Sequence, residues 1–344
     1  MNARWLVGLV VALATLATLP ARVAATCCPI PCTDCWIRWS GQLNLVVMDR
    51  AAGEVRLVPN IRFAGMSPDF ALVVPTPSLP AFELGPETIW TEALEATKPA
   101  AAQDSNNDLF GCNRNNAIFF ESPRPADAGG VVIHAERTVG AMHATVISSD
   151  DPTALVRWLA EHGFALTDAD AARFAPYVAR DWFFTTMRPD TTDAANRMPP
   201  GGWNANVPPV VVRFAAQQFE LPLPLLAIGA QPLTQLVFFV VDDHRMALPG
   251  FATFYANRIS RSELSAMRRT YPALAQFLGE GRFLTRLDRT FRDPSEMETA
   301  IVLERAPTDD ELRRTRFPFV GAVPLALVVA LLCGRAVVRR RAHV

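Results

Sequence analysis

Two uncharged apolar segments bracket this chain of 344 residues, and they constrain its fold and placement more than any other feature. At the N-terminus, one arginine precedes an uncharged run from Trp5 to Leu19, which is followed by small residues suited to a signal peptidase. At the C-terminus, Phe317 to Gly334 carries no charge and is followed by a cluster of arginines. A helix of that length approaches the thickness of the bilayer hydrocarbon, and basic residues favour the cytoplasmic side.

We therefore expect an exported, membrane-anchored protein with its bulk outside the cytoplasm and its C-terminus inside. A segment rich in proline, glycine and asparagine after residue 198 marks the best internal boundary. The expected divisions are a signal peptide (1–25), an N-terminal part of the extracytoplasmic region (26–198), its C-terminal part (199–316), a transmembrane helix (317–338) and a basic cytoplasmic tail (339–344). Whether the C-terminal helix is retained or removed as a sorting signal stays open.

The charge and size of the region between the two ends limit the kinds of molecule that it could bind. The region between the two ends holds 27 basic and 34 acidic residues, a net charge of −7, which argues against nucleic acid as a partner. Because that surface does not attract anionic lipid, the C-terminal helix is the expected membrane contact. About 290 residues remain between the ends, which suffices for a substantial hydrophobic core.

Strand and helix patterns alternate irregularly along this region. Residues 55–63 alternate between apolar and polar side chains after a turn at 49–54, which predicts a hairpin. Asp150 or Asp151 is placed to cap a helix that begins at Pro152 and stops at Gly163. The absence of a strict β–α–β rhythm predicts a mixed, strand-rich α+β fold with a few capped helices.

Two further predictions concern the last part of the extracytoplasmic region. Residues 262–277 have helical periodicity, and Gly279 is placed to stop that helix. Residues 283–289 and 297–303 have strand patterns, and their closeness in the chain favours a final hairpin.

Several ordered motifs resemble a known bacterial family. They are Asp69 to Ser78, the block from Val139 to Phe164, Pro176 to Val178, Trp182 to Phe184, Val212 to Phe214, Leu221 to Leu223, and Leu284 to Leu287. Together they resemble the family called domain of unknown function 2330, over roughly residues 27–305. The resemblance implies exported proteins with a signal and often a C-terminal membrane segment, and it supplies no activity or catalytic residues.

The sharpest chemical feature is a cluster of cysteines at the start of the expected mature protein. The exported region contains five cysteines, namely Cys27, Cys28, Cys32, Cys35 and Cys112. In an oxidising compartment they favour disulfides that tie down the N-terminus, although their odd number leaves one thiol unless Cys27 carries a lipid. A redox dithiol at Cys32 and Cys35 and a cramped zinc site are the alternatives.

A second polar group follows a strand late in the chain. Asp242, Asp243 and His244 place two carboxylates beside an imidazole, which could serve acid–base chemistry, although polar residues are common after strands. His134 and His143 are expected on strands, without a ligand spacing that would indicate a metal.

The sequence favours a binding or structural domain of the cell envelope. No recognisable enzyme motif is present, which weakens the case for catalysis, and no cofactor or metal is expected. An envelope protein is the expected partner besides the membrane. The alternatives are a thiol–disulfide protein that uses the cysteine cluster and a hydrolase with an unrecognised site near Asp242 and His244.

Overall fold

The computed structural model describes residues 28–30, 37–65, 71–98, 126–128, 130–189, 205–206 and 209–313. The expected signal peptide, transmembrane helix and basic tail lie outside these residues, as do Cys27, Cys32, Cys35 and Cys112. None of the helices in the described residues is long and apolar enough to cross a membrane.

Strands supply most of the regular structure. In chain order they are β1 (Cys28–Ile30), β2 (Ile37–Asp49), β3 (Glu54–Gly65), β4 (Ala71–Thr76), β5 (Ala81–Leu84), β6 (Ala126–Ala128), β7 (Val131–Val139), β8 (Met142–Ser149), β9 (Phe183–Pro189), β10 (Ala205–Asn206), β11 (Val210–Ala215), β12 (Glu220–Leu221), β13 (Thr234–Asp242), β14 (Met246–Ala247), β15 (Ala252–Arg258), β16 (Phe283–Phe291), β17 (Ile301–Val302) and β18 (Glu304–Arg305).

Short helices connect and cover the strands. They are α1 (Ile89–Ala96), α2 (Pro152–Glu161), α3 (Ala171–Val178), α4 (Leu223–Leu226), α5 (Arg261–Thr270) and α6 (Pro272–Ala275), with 3-10 turns at Asp168–Asp170 and Pro294–Met297. The expected strand-rich α+β organisation is confirmed, because helices and strands mix without strict alternation.

Two sheets form the body of the described chain. The larger has eight strands in the order β15-β16-β13-β2-β3-β11-β5, with β10 also pairing with β3. Its described pairs are antiparallel except for β13 with β2. The smaller sheet has the antiparallel order β1-β4-β9-β8-β7-β6.

Alternation along the strands of the larger sheet separates two hydrophobic cores. Leu45 and Val47 of β2 face a smaller core that includes residues of α1, α5 and α6. Val46 and Met48 belong to a larger core, which also contains residues of the smaller sheet, α2, α3 and α4. Because side chains alternate between the faces of a strand, an apolar run such as β2 can be buried on both sides.

Local signals define α2 as the sequence predicts. The Asp151 carboxylate accepts a hydrogen bond from the Thr153 backbone N–H at 2.8 Å, so Asp151 rather than Asp150 caps the helix. The helix ends at Glu161, and Gly163 has a φ of +82°, which is unfavourable for residues with a Cβ. Both ends of this helix are therefore encoded in adjacent residues.

The expected helix over residues 262–277 is divided in two. α5 ends at Thr270, and α6 begins at Pro272. Proline lacks the N–H that would continue the helical hydrogen bonds, and it disfavours a helical residue before it. Tyr271 accordingly leaves the helical region, with φ −132° and ψ 61°.

The expected final hairpin is wrong. β16 pairs with β13 on one side and β15 on the other, so both of its edges are already occupied. Residues 294–297 instead form a 3-10 turn, and β17 pairs with β12 far away in the sequence. The strand pattern over residues 283–289 correctly predicted the position of β16, but it carried no information about the strand with which it pairs.

Strands from both sides of the expected boundary at residue 198 share the larger sheet. β2, β3 and β5 precede that boundary, whereas β11, β13, β15 and β16 follow it. The boundary itself lies outside the described residues, and the division of the chain there stays a prediction.

Residues 300–312, which we call the C-terminal strap, run across the end of the larger sheet. β17 pairs with β12, and β18 pairs with β14. Further along, Leu312 and Ala256 of β15 exchange backbone hydrogen bonds of 3.0 and 2.7 Å. The strap is thus attached to three separate strands before the described chain ends at residue 313.

Candidate functional site

The polar run after β13 lies at one end of the larger sheet, where the C-terminal strap crosses it. Asp242 is the last residue of β13, and its side chain is fully buried. The carboxylate accepts two hydrogen bonds from the Arg50 guanidinium, from Nε at 3.1 Å and from Nη2 at 2.7 Å. The backbone N–H of Asp243 supplies a third hydrogen bond of 2.6 Å.

All three nitrogen atoms of the Arg50 guanidinium donate hydrogen bonds at this end of the sheet. Besides the two bonds to Asp242, its Nη1 donates to the Gln217 carbonyl at 3.2 Å. A buried carboxylate is stable as an anion when an arginine pairs with it in this two-pronged geometry. Asp242 therefore serves as the partner of Arg50, which leaves it poorly placed to take a proton from a substrate.

The two residues that follow Asp242 diverge from it. Asp243 lies beside Arg282, with 3.4 Å between its Oδ1 and the arginine Nε. His244 turns towards the strap, where its Nδ1 lies 2.8 Å from Oδ2 of Asp309. The three predicted residues are brought to one end of the sheet, but each has a different partner.

Asp309 of the strap is the centre of a polar network that joins the strap to residues outside it. Besides the His244 imidazole, it accepts from Arg258 Nη2 at 3.2 Å, Arg305 Nη2 at 3.4 Å and the Arg245 backbone N–H at 3.1 Å. The pKa of Asp309 lies below its ordinary value, first because His244 hydrogen-bonds to the carboxylate. The backbone bond and the positive charge of Arg305 act in the same direction.

A pocket of about 640 Å³ opens where the strap passes this network. This size lies within the range that accommodates small ligands. We call it the strap pocket, and it is lined by Arg50, Gln218, His244, Met246, Pro249 and residues 300–305. Polar and apolar groups contribute to its wall in about equal measure.

Three polar groups of the strap pocket have unused hydrogen-bonding capacity. Within the described residues, the Gln218 amide, the Glu304 carboxylate and Nε2 of His244 form no side-chain hydrogen bond or ion pair. The bond from Nδ1 to Asp309 fixes the orientation of the His244 ring, so that Nε2 remains available. The pocket thus combines apolar side chains with acceptors and an amide that a ligand could use.

Two kinds of group that catalysis commonly uses are a nucleophilic side chain and a bound metal ion. None of the residues that line the strap pocket is a serine, threonine or cysteine, the usual nucleophiles. Across the described part of the chain, no group of three or more histidine, cysteine, aspartate or glutamate side chains could hold a metal ion.

Cys28 is the member of the cysteine cluster that the structure describes. It lies in β1 opposite Val73 of β4, and its side chain is fully buried. Burial raises the pKa of the Cys28 thiol, because desolvation disfavours the thiolate. Pairing among Cys27, Cys32, Cys35 and Cys112 lies outside the described residues and stays a prediction.

The histidines of β7 and β8 form two separate pairs with hydroxyl groups. His134 Nε2 lies 2.7 Å from the Ser148 hydroxyl, and His143 Nδ1 lies 3.5 Å from the Thr138 hydroxyl. Burial lowers the pKa of His134, because the charged imidazolium loses hydration.

Sequence reasoning missed most of the residues that build the strap pocket. Arg50 is 192 positions from Asp242, and Asp309 is 65 positions from His244. A single sequence carries no signal that pairs residues so far apart. The one available hint was the acidic character of the strap around Asp309, which follows the last strands.

Comparison with known proteins identifies the family of the chain. A family described as an uncharacterized protein conserved in bacteria, domain of unknown function 2330, matches residues 23–304. The chain belongs to this family. The match includes β1 to β18 up to Glu304, and therefore the pocket-lining residues except Arg305. No curated protein and no solved structure matches the chain.

Proposed function

We propose that this family member is an exported binding protein of the bacterial cell envelope, held to the membrane by the helix over residues 317–338. In this proposal the strap pocket is its ligand site. The observation that carries the proposal is the strap pocket itself, beside which Asp242 and Asp309 are already paired, while Gln218, His244 and Glu304 in its wall remain available for a ligand.

The pairing of charges favours binding over catalysis. A general base must have a basic atom available to the substrate, whereas Asp242 is buried behind Arg50 and Asp309 accepts from four donors. Hydrogen-bond networks of this kind fix the position of the residues around the strap pocket. Gln218, Glu304 and Nε2 of His244 would then orient a small ligand whose apolar part contacts Ile301 and Val302.

The thiol and hydrolase alternatives stand differently. The thiol alternative rests on Cys32 and Cys35, which lie outside the described residues, and it stays a prediction. Cys28 alone is described, and it is buried with a raised pKa, which makes a thiol inert compared with exposed, low-pKa cysteines. The carboxylate of Asp242 is committed to Arg50. We expect the cysteine cluster to form disulfides that fix the N-terminus.

The export and membrane anchoring rest on the two apolar ends of the sequence. Peptide mass spectrometry of protein extracted from membranes, with thiols alkylated before and after reduction, tests this part. We expect a mature N-terminus near residue 26, a retained C-terminal helix and bridged cysteines. A full-length N-terminus in the cytosolic fraction would contradict the proposal.

Ligand binding is tested by native mass spectrometry of the full-length protein purified from its own membranes. We expect a non-covalent small-molecule adduct that is lost under denaturing conditions. Ala300→Trp should remove the adduct, because Ala300 lines the pocket and the indole would fill it. Ala172→Trp on the exposed face of α3 is the matched control and should retain it. Equal adduct in both variants would overturn the assignment of the pocket.

A further inference from the structure

A second candidate site lies in the smaller sheet, away from the strap pocket. In the antiparallel pair of β7 and β8, Ile133 lies opposite Ile147, whereas Ala135, two residues further along β7, lies opposite the adjacent Val146. His134 is therefore an extra residue, which forms a bulge. Bulges redirect a side chain and are over-represented next to active sites.

The bulge brings the imidazole onto a hydroxyl of the neighbouring strand. Nε2 of His134 lies 2.7 Å from the Ser148 Oγ, within the range of a nucleophile and its base. Both residues are half-buried, so they are partly shielded from water but accessible. The ring of Phe183 lies edge-on to the imidazole, with 4.9 Å between the ring centroids, and gives the site an apolar side.

The segment after Ser148 is held firmly. The Ser149 hydroxyl lies 2.7 Å from the Gly130 carbonyl and 2.9 Å from the Asp151 carbonyl, and Asp151 caps α2. Ser148 thus stands at the end of a strand that leads by a short turn into a helix. Nucleophilic serines of many hydrolases stand between a strand and a helix in the same order.

The same hairpin contains a second hydroxyl–imidazole pair that lacks these features. Thr138 and His143 are directly opposite in the regular register, both are exposed, and their polar atoms are 3.5 Å apart. At that distance a hydrogen bond is weak. The contrast indicates that the short contact at Ser148 depends on the bulge and does not follow from the hairpin alone.

We propose that Ser148 and His134 form a nucleophile and general-base pair that cleaves carboxylic esters with an apolar acyl group. This assignment is independent of the proposed ligand site. The neutral imidazole with its proton on Nδ1 accepts the Oγ proton of Ser148 at Nε2 as Oγ attacks the ester carbon.

The bond changes balance in two steps. A new bond joins Oγ to the acyl carbon, the carbon–oxygen bond to the alcohol breaks, and the alcohol leaves with the proton from His134. Water then attacks the acyl-serine, gives its proton to His134, and releases the carboxylic acid as the proton returns to Oγ. The lowered pKa of His134 favours the neutral imidazole that this step needs.

The test uses an alkyl fluorophosphonate on the full-length protein in detergent, followed by peptide mass spectrometry. Ser148 Oγ would displace fluoride and form a stable phosphonate ester. We expect one adduct on Ser148, no adduct in Ser148→Ala, and labelling at least 10-fold slower in His134→Gln, in line with the contribution of a general base. His143→Gln is the matched control and should label at the rate of the wild type.

Two readouts separate this role from a structural one. The labelling rate of the wild type should fall as the pH drops below the ordinary imidazole range, because protonated His134 cannot accept the Oγ proton. Thermal melting of each variant shows whether it is folded, and the wild-type adduct is mapped without any variant. An absence of adduct on Ser148 in folded wild-type protein, or equal labelling of His134→Gln and wild type, would overturn the proposal.

Discussion

Asp242 and Asp309 lie at the same end of the larger sheet, yet they are held in opposite ways. Asp242 is completely buried and has one charged partner, Arg50, in a two-pronged bond. The side chain of Asp309 retains 24% of its exposure and accepts from two arginines, one histidine and one backbone amide.

The two carboxylates differ in their surroundings once one hydrogen-bonding partner is removed. A buried ion without its partner has neither water nor an opposite charge, which is strongly destabilising. A partly exposed carboxylate with several donors can exchange one of them for water at little cost in free energy. The number of contacts is therefore a poor guide to their importance here, and burial is the better guide.

The largest effect is expected from Arg50→Met, which removes the single charged partner of Asp242. We expect the free energy of unfolding to fall by about 3 kcal/mol, because the buried carboxylate would be left unpaired. Urea denaturation followed by circular dichroism measures this change. A loss below about 1 kcal/mol would mean that water enters through the strap pocket and hydrates the unpaired carboxylate of Asp242.

Replacing both members of the pair sharpens the comparison. The double variant Arg50→Met with Asp242→Leu removes the unpaired charge along with the ion pair. Buried ion pairs exchanged for apolar residues are often neutral in stability, so we expect the double variant to regain most of the loss. The same urea titration checks it, and a double variant as unstable as Arg50→Met would refute the explanation by burial.

Asp309→Asn should produce a smaller loss that depends on pH. We expect about 1 kcal/mol at pH 7, typical of a partly exposed ion pair. The pKa of Asp309 is lowered by folding, so its stabilisation is complete above its ordinary value of 3.8 and is lost as the pH falls through the folded value. Urea midpoints of wild type and variant should therefore converge below about pH 4. A constant difference down to pH 3 would exclude this carboxylate as the titrating group.

The smallest effect is expected at the exposed pair of Arg261 and Glu280. Their side chains retain 84% and 51% exposure, and 3.1 Å separates the arginine Nε from the nearest carboxylate oxygen. We expect Arg261→Ala to change stability by less than about 0.5 kcal/mol. This variant is the surface control for Arg50→Met, and a comparable loss in both would remove the distinction drawn above.

Elements with signals in neighbouring residues were predictable from the sequence. The hairpin of β2 and β3 follows from period-two alternation around a turn, and α2 follows from its cap at Asp151 and its glycine stop at Gly163. The break before Pro272 was equally local and was overlooked in favour of helical periodicity.

Features that depend on distant partners were not predictable. β16 has a clear strand pattern, but its position between β13 and β15 depends on which strand edges remain open elsewhere. The same holds for Arg50, which the sequence shows only as part of a turn. The structure brings Asp242, Asp243 and His244 to one end of the sheet, whereas their three separate partners come from distant positions in the chain.

The C-terminal strap has a mechanical consequence for an anchored protein. If residues 317–338 are fixed in a membrane as we propose, a force between membrane and cell exterior enters the described chain at residue 313. It would load the Leu312 hydrogen bonds first, then the bonds of Asp309, and only afterwards residues 300–305 of the pocket wall. In that case the bonds of Asp309 would bear a pull on the anchor before the strap pocket does.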